Sequence, residues 1–226
     1  MSYVLIALVA SAGLSLLWIG YKLSTKYKKF IDFQSRYQAL TLMLALALAL
    51  ITGSQGLWVL GLGDLNAAVV GFGYLGATSS DRWLSFGTTF LLVMSLVTAG
   101  VVWLQSGRGQ RVKSATLFAA LPAAALFSIF NAFTEELIFR VSLVQALSAT
   151  LQPWQIALIS AVIFGALHYF GMPGKIPGLL MAGFMGWLLT FSVIQTGGIF
   201  WAWLIHFIQD VIILTIAFAA EKSKRD

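Results

Sequence analysis

Apolar runs of about 20 residues recur along the whole chain, each long enough as a helix to cross a hydrocarbon core of about 30 Å. Of the 226 residues 59% are hydrophobic and only 10% charged, against about 25% charged in an ordinary soluble domain. No water-soluble fold of this length needs so much apolar surface. The expected fold is therefore all-α, a polytopic transmembrane helical bundle, because lipid leaves the backbone no external hydrogen-bond partner.

Seven spans are predicted: Tyr3–Gly20, Ala39–Gly61, Trp83–Leu104, Leu121–Val144, Trp154–Phe170, Ile176–Gln195 and Gly198–Ala220. Leu65–Ala77 is apolar but short and glycine-rich, which fits a re-entrant or interfacial segment; the count becomes eight if it crosses. The first run has no basic residue before it and is followed by Lys22, Lys26, Lys28 and Lys29. That is the reverse of a secretory signal, so a retained span is expected.

The net charge of +6 is a topology signal and not a nucleic-acid footprint. Twelve of the 14 basic residues fall in four segments: after span one, after span three, at Lys175, and in the tail with Lys222, Lys224 and Arg225. With seven spans these lie on one side, while the opposite loops carry Asp64, Asp81 and Arg82. Positive-inside counting places the N-terminus outside and the C-terminus in the cytoplasm, with the lipid bilayer as the partner of the basic loops. Cysteine is absent, so disulfides, thiolate metal sites and cysteine nucleophiles are excluded. Any chemistry must use oxygen and imidazole.

The polar groups within spans gather in the second half. Glu135, Glu136, Arg140, His168, His206 and Asp210 all lie inside predicted spans, where ionisable residues are rare without partners or a function. Glu136 and Arg140 are four apart with the acid first, the favourable order for a helical ion pair. Asn131 and Glu135 share that spacing on a neighbouring strip, as do His206 and Asp210, and Phe164 and His168. Arg140 thus neutralises one glutamate while the other faces a cavity, and Asp210 either orients the His206 imidazole or shares a ligand with it. Counted at about 1.5 Å per residue, Glu135, His168 and His206 differ in depth by up to about 12 Å, a gap that straight perpendicular helices would not close.

The order Glu-Glu-x-x-x-Arg, Phe-x-x-x-His and His-x-x-x-Asp, each on a membrane helix, resembles the three motifs of the CPBP family of intramembrane proteases, which includes the type II CAAX prenyl endopeptidases. The resemblance covers about residues 121–214. It divides the chain into three N-terminal spans over 1–115, a catalytic-like membrane core over 116–220 and a basic cytoplasmic tail over 221–226. It implies Glu135 as the catalytic glutamate, Glu136 and Arg140 as the rest of the first motif, and His168 and His206 at the water or metal. At Asp210 the family frequently has asparagine, and an aspartate lacks the amide hydrogen an asparagine can donate to an oxyanion.

Peptide hydrolysis needs a group that takes a proton from water and returns it to the leaving amine, which a glutamate can do in turn. Two histidines and a carboxylate also suffice for zinc, so the reading with a metal on His168, His206 and Asp210 stays open beside the one without. The expected function is an intramembrane endopeptidase of a prokaryotic plasma membrane, acting on a membrane-presented peptide or protein that is either prenylated or not. Two other classes fit the same residues: a proton-coupled transporter or channel using the cluster as a relay, and a non-catalytic immunity or scaffold protein. The structural reading of Glu136–Arg140 is an ion pair that fixes helix register, and that of a lone intramembrane histidine is an interhelical hydrogen bond.

Overall fold

The computed structural model describes residues 30–52, 61–106 and 113–223. The expected first span, the end of the second, most of the basic connection after the third and the last residues of the tail lie outside the described residues. Seven helices are described: α1 (Phe30–Thr52), α2 (Trp83–Ser106), α3 (Ser114–Glu136), α4 (Leu143–Leu147), α5 (Pro153–His168), α6 (Lys175–Thr196) and α7 (Phe200–Ser223). A π-helical stretch, Leu137–Ser142, joins α3 to α4. A single bridge between Ala68 and Arg82 is the nearest thing to a strand among the described residues.

Four stretches among these residues are long and apolar enough to cross a membrane: Trp83–Gln105, Ser114–Leu147, Lys175–Thr196 and Phe200–Glu221. The predicted fifth span keeps nearly its expected length. Its helix α5 stops at His168 after 16 residues, about 24 Å at the usual rise and short of a full hydrocarbon core. The predicted fourth span is longer, beginning at Ser114, so that Pro122 lies well inside α3 and not at its start. Such a 34-residue helix is about 50 Å long, and its α3 part, Ser114–Glu136, is what packs against α7.

The most extensive pairings are α5 with α6 and α3 with α7. Small residues permit the first. A Cβ on Gly165 would lie 2.7 Å from the Leu179 carbonyl oxygen, and one on Gly186 would lie 3.1 Å from Ser160 O. The two backbones therefore approach more closely than side chains would allow. The apolar core sits where the π stretch meets α4, α5, α6 and α7, with Leu137, Ile138, Leu147, Ile156, Leu188, Leu189 and Ile205 fully buried.

Residues 61–82 do not cross as a helix; apart from one 3₁₀ turn at Gly73–Leu75 they form an irregular strap over one end of the bundle. The Gln195 carboxamide at the end of α6 takes Val70 N–H (3.1 Å), donates to Val70 O (2.8 Å) and accepts from Trp83 Nε1 (2.9 Å). Asp64 N–H bonds Thr196 O at 2.7 Å, and Ile199 N–H bonds Gly61 O at 3.0 Å. Phe72 is buried among Trp83, Phe86, Trp187 and Phe191, with ring centroids 5.3–6.1 Å away. The strap pairs part of its backbone with the α6–α7 turn, while most of its residues stay exposed.

Candidate active site

The site is built where α3 runs antiparallel to α7. Glu135 and Glu136 end α3, and Arg140 lies in the π stretch that follows. Two hydroxyls support the carbonyls of this widened turn: Ser142 Oγ donates to Leu137 O at 2.8 Å, and Ser160 Oγ from α5 donates to Phe139 O at 3.4 Å. Single π turns inside α-helices recur at functional sites. Nothing in the composition of Leu137–Ser142 announces this one.

Arg140 Nε lies 3.1 Å from Glu136 Oε2, and both side chains are fully buried. The pair is a single-point contact and not the bidentate fork that arginine can make, because the other Glu136 oxygen is taken. His206 Nδ1 donates to Glu136 Oε1 at 2.7 Å. The guanidinium carbon is 4.1 Å from the Phe164 ring centroid, a cation–π contact. Glu136 therefore joins Arg140 to His206, and Arg140 packs on the ring one turn before His168. This revises the expected orienter of His206: Asp210, on the same helix, comes only within 3.6 Å of Nε2, while Glu136 reaches across from α3.

His168 is fixed in another way. Its Nδ1 is 2.8 Å from Phe164 O, an atom that can only accept, so Nδ1 carries the hydrogen and a neutral ring keeps its lone pair on Nε2. The same logic leaves Nε2 of a neutral His206 with a lone pair. Glu135 Oε2 faces both nitrogens, 3.9 Å from His168 Nε2 and 3.6 Å from His206 Nε2. It is buried and has no hydrogen-bond partner. These separations are too long for direct hydrogen bonds, yet a water seated beside them would lie about 2.8 Å from each.

The second oxygen of Glu135 is held by a residue that sequence spacing only hinted at. The Asn131 amide donates to Glu135 Oε1 at 3.2 Å and to Asp210 Oδ2 at 2.9 Å. It ties the two carboxylates of the site together across α3 and α7. Exposure separates two layers: Glu136 and Arg140 are at 0%, whereas Glu135 and His168 are at 14% and 25%. The first pair can only support; the second can meet a substrate.

A cavity of about 50 Å³ borders His168, His206 and Asp210, with Thr98, Gln209 and several apolar residues completing its walls. Trp201 and Trp203, close to His206 in sequence, do not line it. Trp201 is buried with Nε1 directed at Leu65 O (3.3 Å), and Trp203 stacks on Phe207. Gly178 positions the cavity floor, since a Cβ there would collide with the Pro173 carbonyl and lie 2.6 Å from His168 O.

His168, His206 and Asp210 would be the donors for a metal. Tetrahedral zinc with bonds of about 2.0–2.1 Å sets donors about 3.3 Å apart. Here His206 Nε2 and Asp210 Oδ1 are 3.6 Å apart, and among the described residues no three His, Cys, Asp or Glu side chains are arranged to hold one ion. The geometry is that of carboxylate and imidazole groups around a water-sized gap.

Residues 116–212 match the family model described as Rce1-like, type II CAAX prenyl endopeptidase. The matched stretch runs from α3 into α7 and contains Glu135, Glu136, Arg140, His168, His206 and Asp210. No curated protein and no solved structure gave a match.

Proposed function

We propose that this multi-pass membrane protein, whose residues 116–212 match the Rce1-like type II CAAX prenyl endopeptidase family model, hydrolyses peptide bonds by activating a water with Glu135. One observation carries the reading: Glu135 Oε2 is buried, unpartnered and faces Nε2 of both His168 and His206. Around that gap every atom is an acceptor, so a bound water directs its hydrogens at two of them and turns a lone pair outward.

Glu135 takes a proton from the water as its oxygen attacks the scissile carbonyl carbon. Glu135 then returns the proton to the amine nitrogen as the C–N bond breaks, leaving a new carboxylic acid, which ionises in water, and a new amine. The second hydrogen of the water goes to Nε2 of His168 or of His206, which holds its oxygen on the line of attack. Glu136 fixes the His206 ring through Nδ1, Arg140 fixes Glu136, and Asn131 fixes Glu135 against Asp210. Positioning of this kind is worth several kcal/mol of a barrier.

The substrate is a peptide or protein segment presented at the membrane. Prenylated cysteine peptides are the class named in the family description and belong beside unmodified ones in a test. Purified protein incubated with both libraries and read by mass spectrometry should give discrete cleavages that Glu135→Ala lacks. Identical cleavage by the variant would assign the activity elsewhere.

A further inference from the structure

The gap between Glu135, His168 and His206 is ringed by acceptors, yet attack on a peptide carbonyl moves negative charge onto the carbonyl oxygen. That oxygen needs a donor. Among the described side chains that wall the adjoining cavity, Thr98, His168, His206 and Gln209 carry N–H or O–H hydrogens. Three of the four have given theirs away: Thr98 Oγ1 donates to Gln209 Oε1, His168 Nδ1 to Phe164 O, and His206 Nδ1 to Glu136 Oε1. Asn131 spends its amide on Glu135 and Asp210. Gln209 Nε2 carries two hydrogens and gives one, to Ser95 Oγ at 3.4 Å.

We propose that the second amide hydrogen of Gln209 stabilises the oxyanion formed when water attacks the scissile bond, and that Ser95 and Thr98 of α2 hold the carboxamide in the orientation that presents it. The proposal rests on the endopeptidase reading and adds one catalytic and two positioning residues to it. Ser95 and Thr98 lie outside residues 116–212, the stretch that matches the family model.

Ser95 decides which end of the carboxamide faces which wall. Its hydroxyl donates to Leu91 O at 2.7 Å, so toward Gln209 it can only accept. The Gln209 nitrogen therefore faces Ser95 and the oxygen faces Thr98. Gln209 is 5% exposed and Thr98 2%, so bulk water does not compete for these bonds, and the low local dielectric strengthens them. Gln209 lies three residues after His206 on α7 and shares its face of the helix. Both line a cavity of about 50 Å³, room for one or two waters at about 30 Å³ each. An oxygen bound there lies close to imidazole and amide together.

The step balances. The water oxygen bonds to the carbonyl carbon, the C=O π pair moves to the carbonyl oxygen, and the released proton goes to Glu135. The amide hydrogen stays on Gln209 throughout, and the pair re-forms the C=O bond as the C–N bond breaks. Negative charge thus leaves Glu135 and appears on the substrate, where Asp210 repels it and a fixed donor offsets that repulsion.

The test joins turnover to the binding of an uncleavable mimic. Full-length protein in detergent is titrated calorimetrically with a phosphinic peptide, whose anionic tetrahedral group stands for the intermediate, built on a sequence the wild type cleaves. Gln209→Leu should weaken this binding about 100-fold and lower kcat about 100- to 1,000-fold, with KM within about threefold of the wild type. Thr98→Val keeps Gln209 but frees its carboxamide to turn; it should lower kcat about tenfold, and the double variant should be no slower than Gln209→Leu alone. Native kcat per folded molecule in Gln209→Leu, native affinity for the phosphinic peptide, or a rise in KM that accounts for the whole loss would overturn the proposal. If Gln209→Leu does not fold, Thr98→Val decides: native kcat there overturns the proposal, and a lowered kcat at unchanged KM supports it. A wild-type protein that cleaves no peptide removes the endopeptidase reading and the oxyanion role together, whereas wild-type cleavage with unaffected variants removes the oxyanion role alone.

Discussion

His206 gives its Nδ1 hydrogen to Glu136, 70 residues earlier in the chain and 2.7 Å away in space, although Asp210 lies one turn along its own helix. The first motif therefore does not end at its own helix. It reaches across α7 and sets the tautomer of a histidine in the third motif.

Glu136→Gln tests that link. The amide keeps the shape, but its nitrogen end cannot accept from Nδ1 and its charge no longer balances Arg140. Breaking a buried pair by changing one partner costs about 3–5 kcal/mol. A lowered Tm together with a large loss of turnover per folded molecule is expected, measured on one detergent preparation. Unchanged turnover would show that His206 needs no such partner.

Arg140→Lys separates positioning from simple charge balance. Lysine keeps the charge but has neither the planar surface that lies on Phe164 nor the Nε contact to Glu136. Because Glu135 directly precedes Glu136, any rotation there re-aims its carboxylate, and a displacement of about 1 Å can slow a reaction about 100-fold. Most activity should be lost with a modest fall in Tm. A destabilised protein with normal single-turnover cleavage would make the pair structural.

Asn131→Ala removes the amide that donates to both Glu135 Oε1 and Asp210 Oδ2. The carboxylates then face one another without a bridge. A fall of about 10- to 100-fold in kcat with little change in KM is expected, the pattern of a group that orients a reacting atom without binding substrate. A rise in KM alone would move Asn131 into substrate recognition.

Chelation addresses the alternative use of the histidines. With donors arranged around a water-sized gap, exhaustive dialysis against a strong zinc chelator should leave peptide cleavage unchanged. Activity lost on chelation and restored by stoichiometric zinc would reinstate a metal on His168, His206 and Asp210.

The ionisable residues of the site were legible because charge is so rare in apolar runs, and four-residue spacing reports which side chains share one face of one helix. Such spacing says nothing about contacts between helices. The Glu136–His206 bond and the Asn131 bridge to Asp210, 79 residues away, are therefore invisible in the sequence, where Asp210 reads equally as an orienter of His206 or as a ligand. Depths counted along straight perpendicular helices leave Glu135 and the histidines mismatched, and spacing within one helix cannot close that gap. The helix starts at Ser114 and passes through a π turn, which no residue type marks. Leu65–Ala77 was readable as something other than a crossing helix, but its role as a strap held by Gln195 depends on long-range pairing.

The central claim, a water activated by Glu135, is tested most directly by single-turnover cleavage in H₂¹⁸O with enzyme in excess over a peptide substrate. Direct attack by water puts one ¹⁸O into the new product carboxylate in the first turnover and none into the Glu135 side chain, and Glu135→Gln yields no product. Product formed with ¹⁶O alone, ¹⁸O recovered in the Glu135 carboxylate, or labelled product from the Gln variant at the native rate would contradict it.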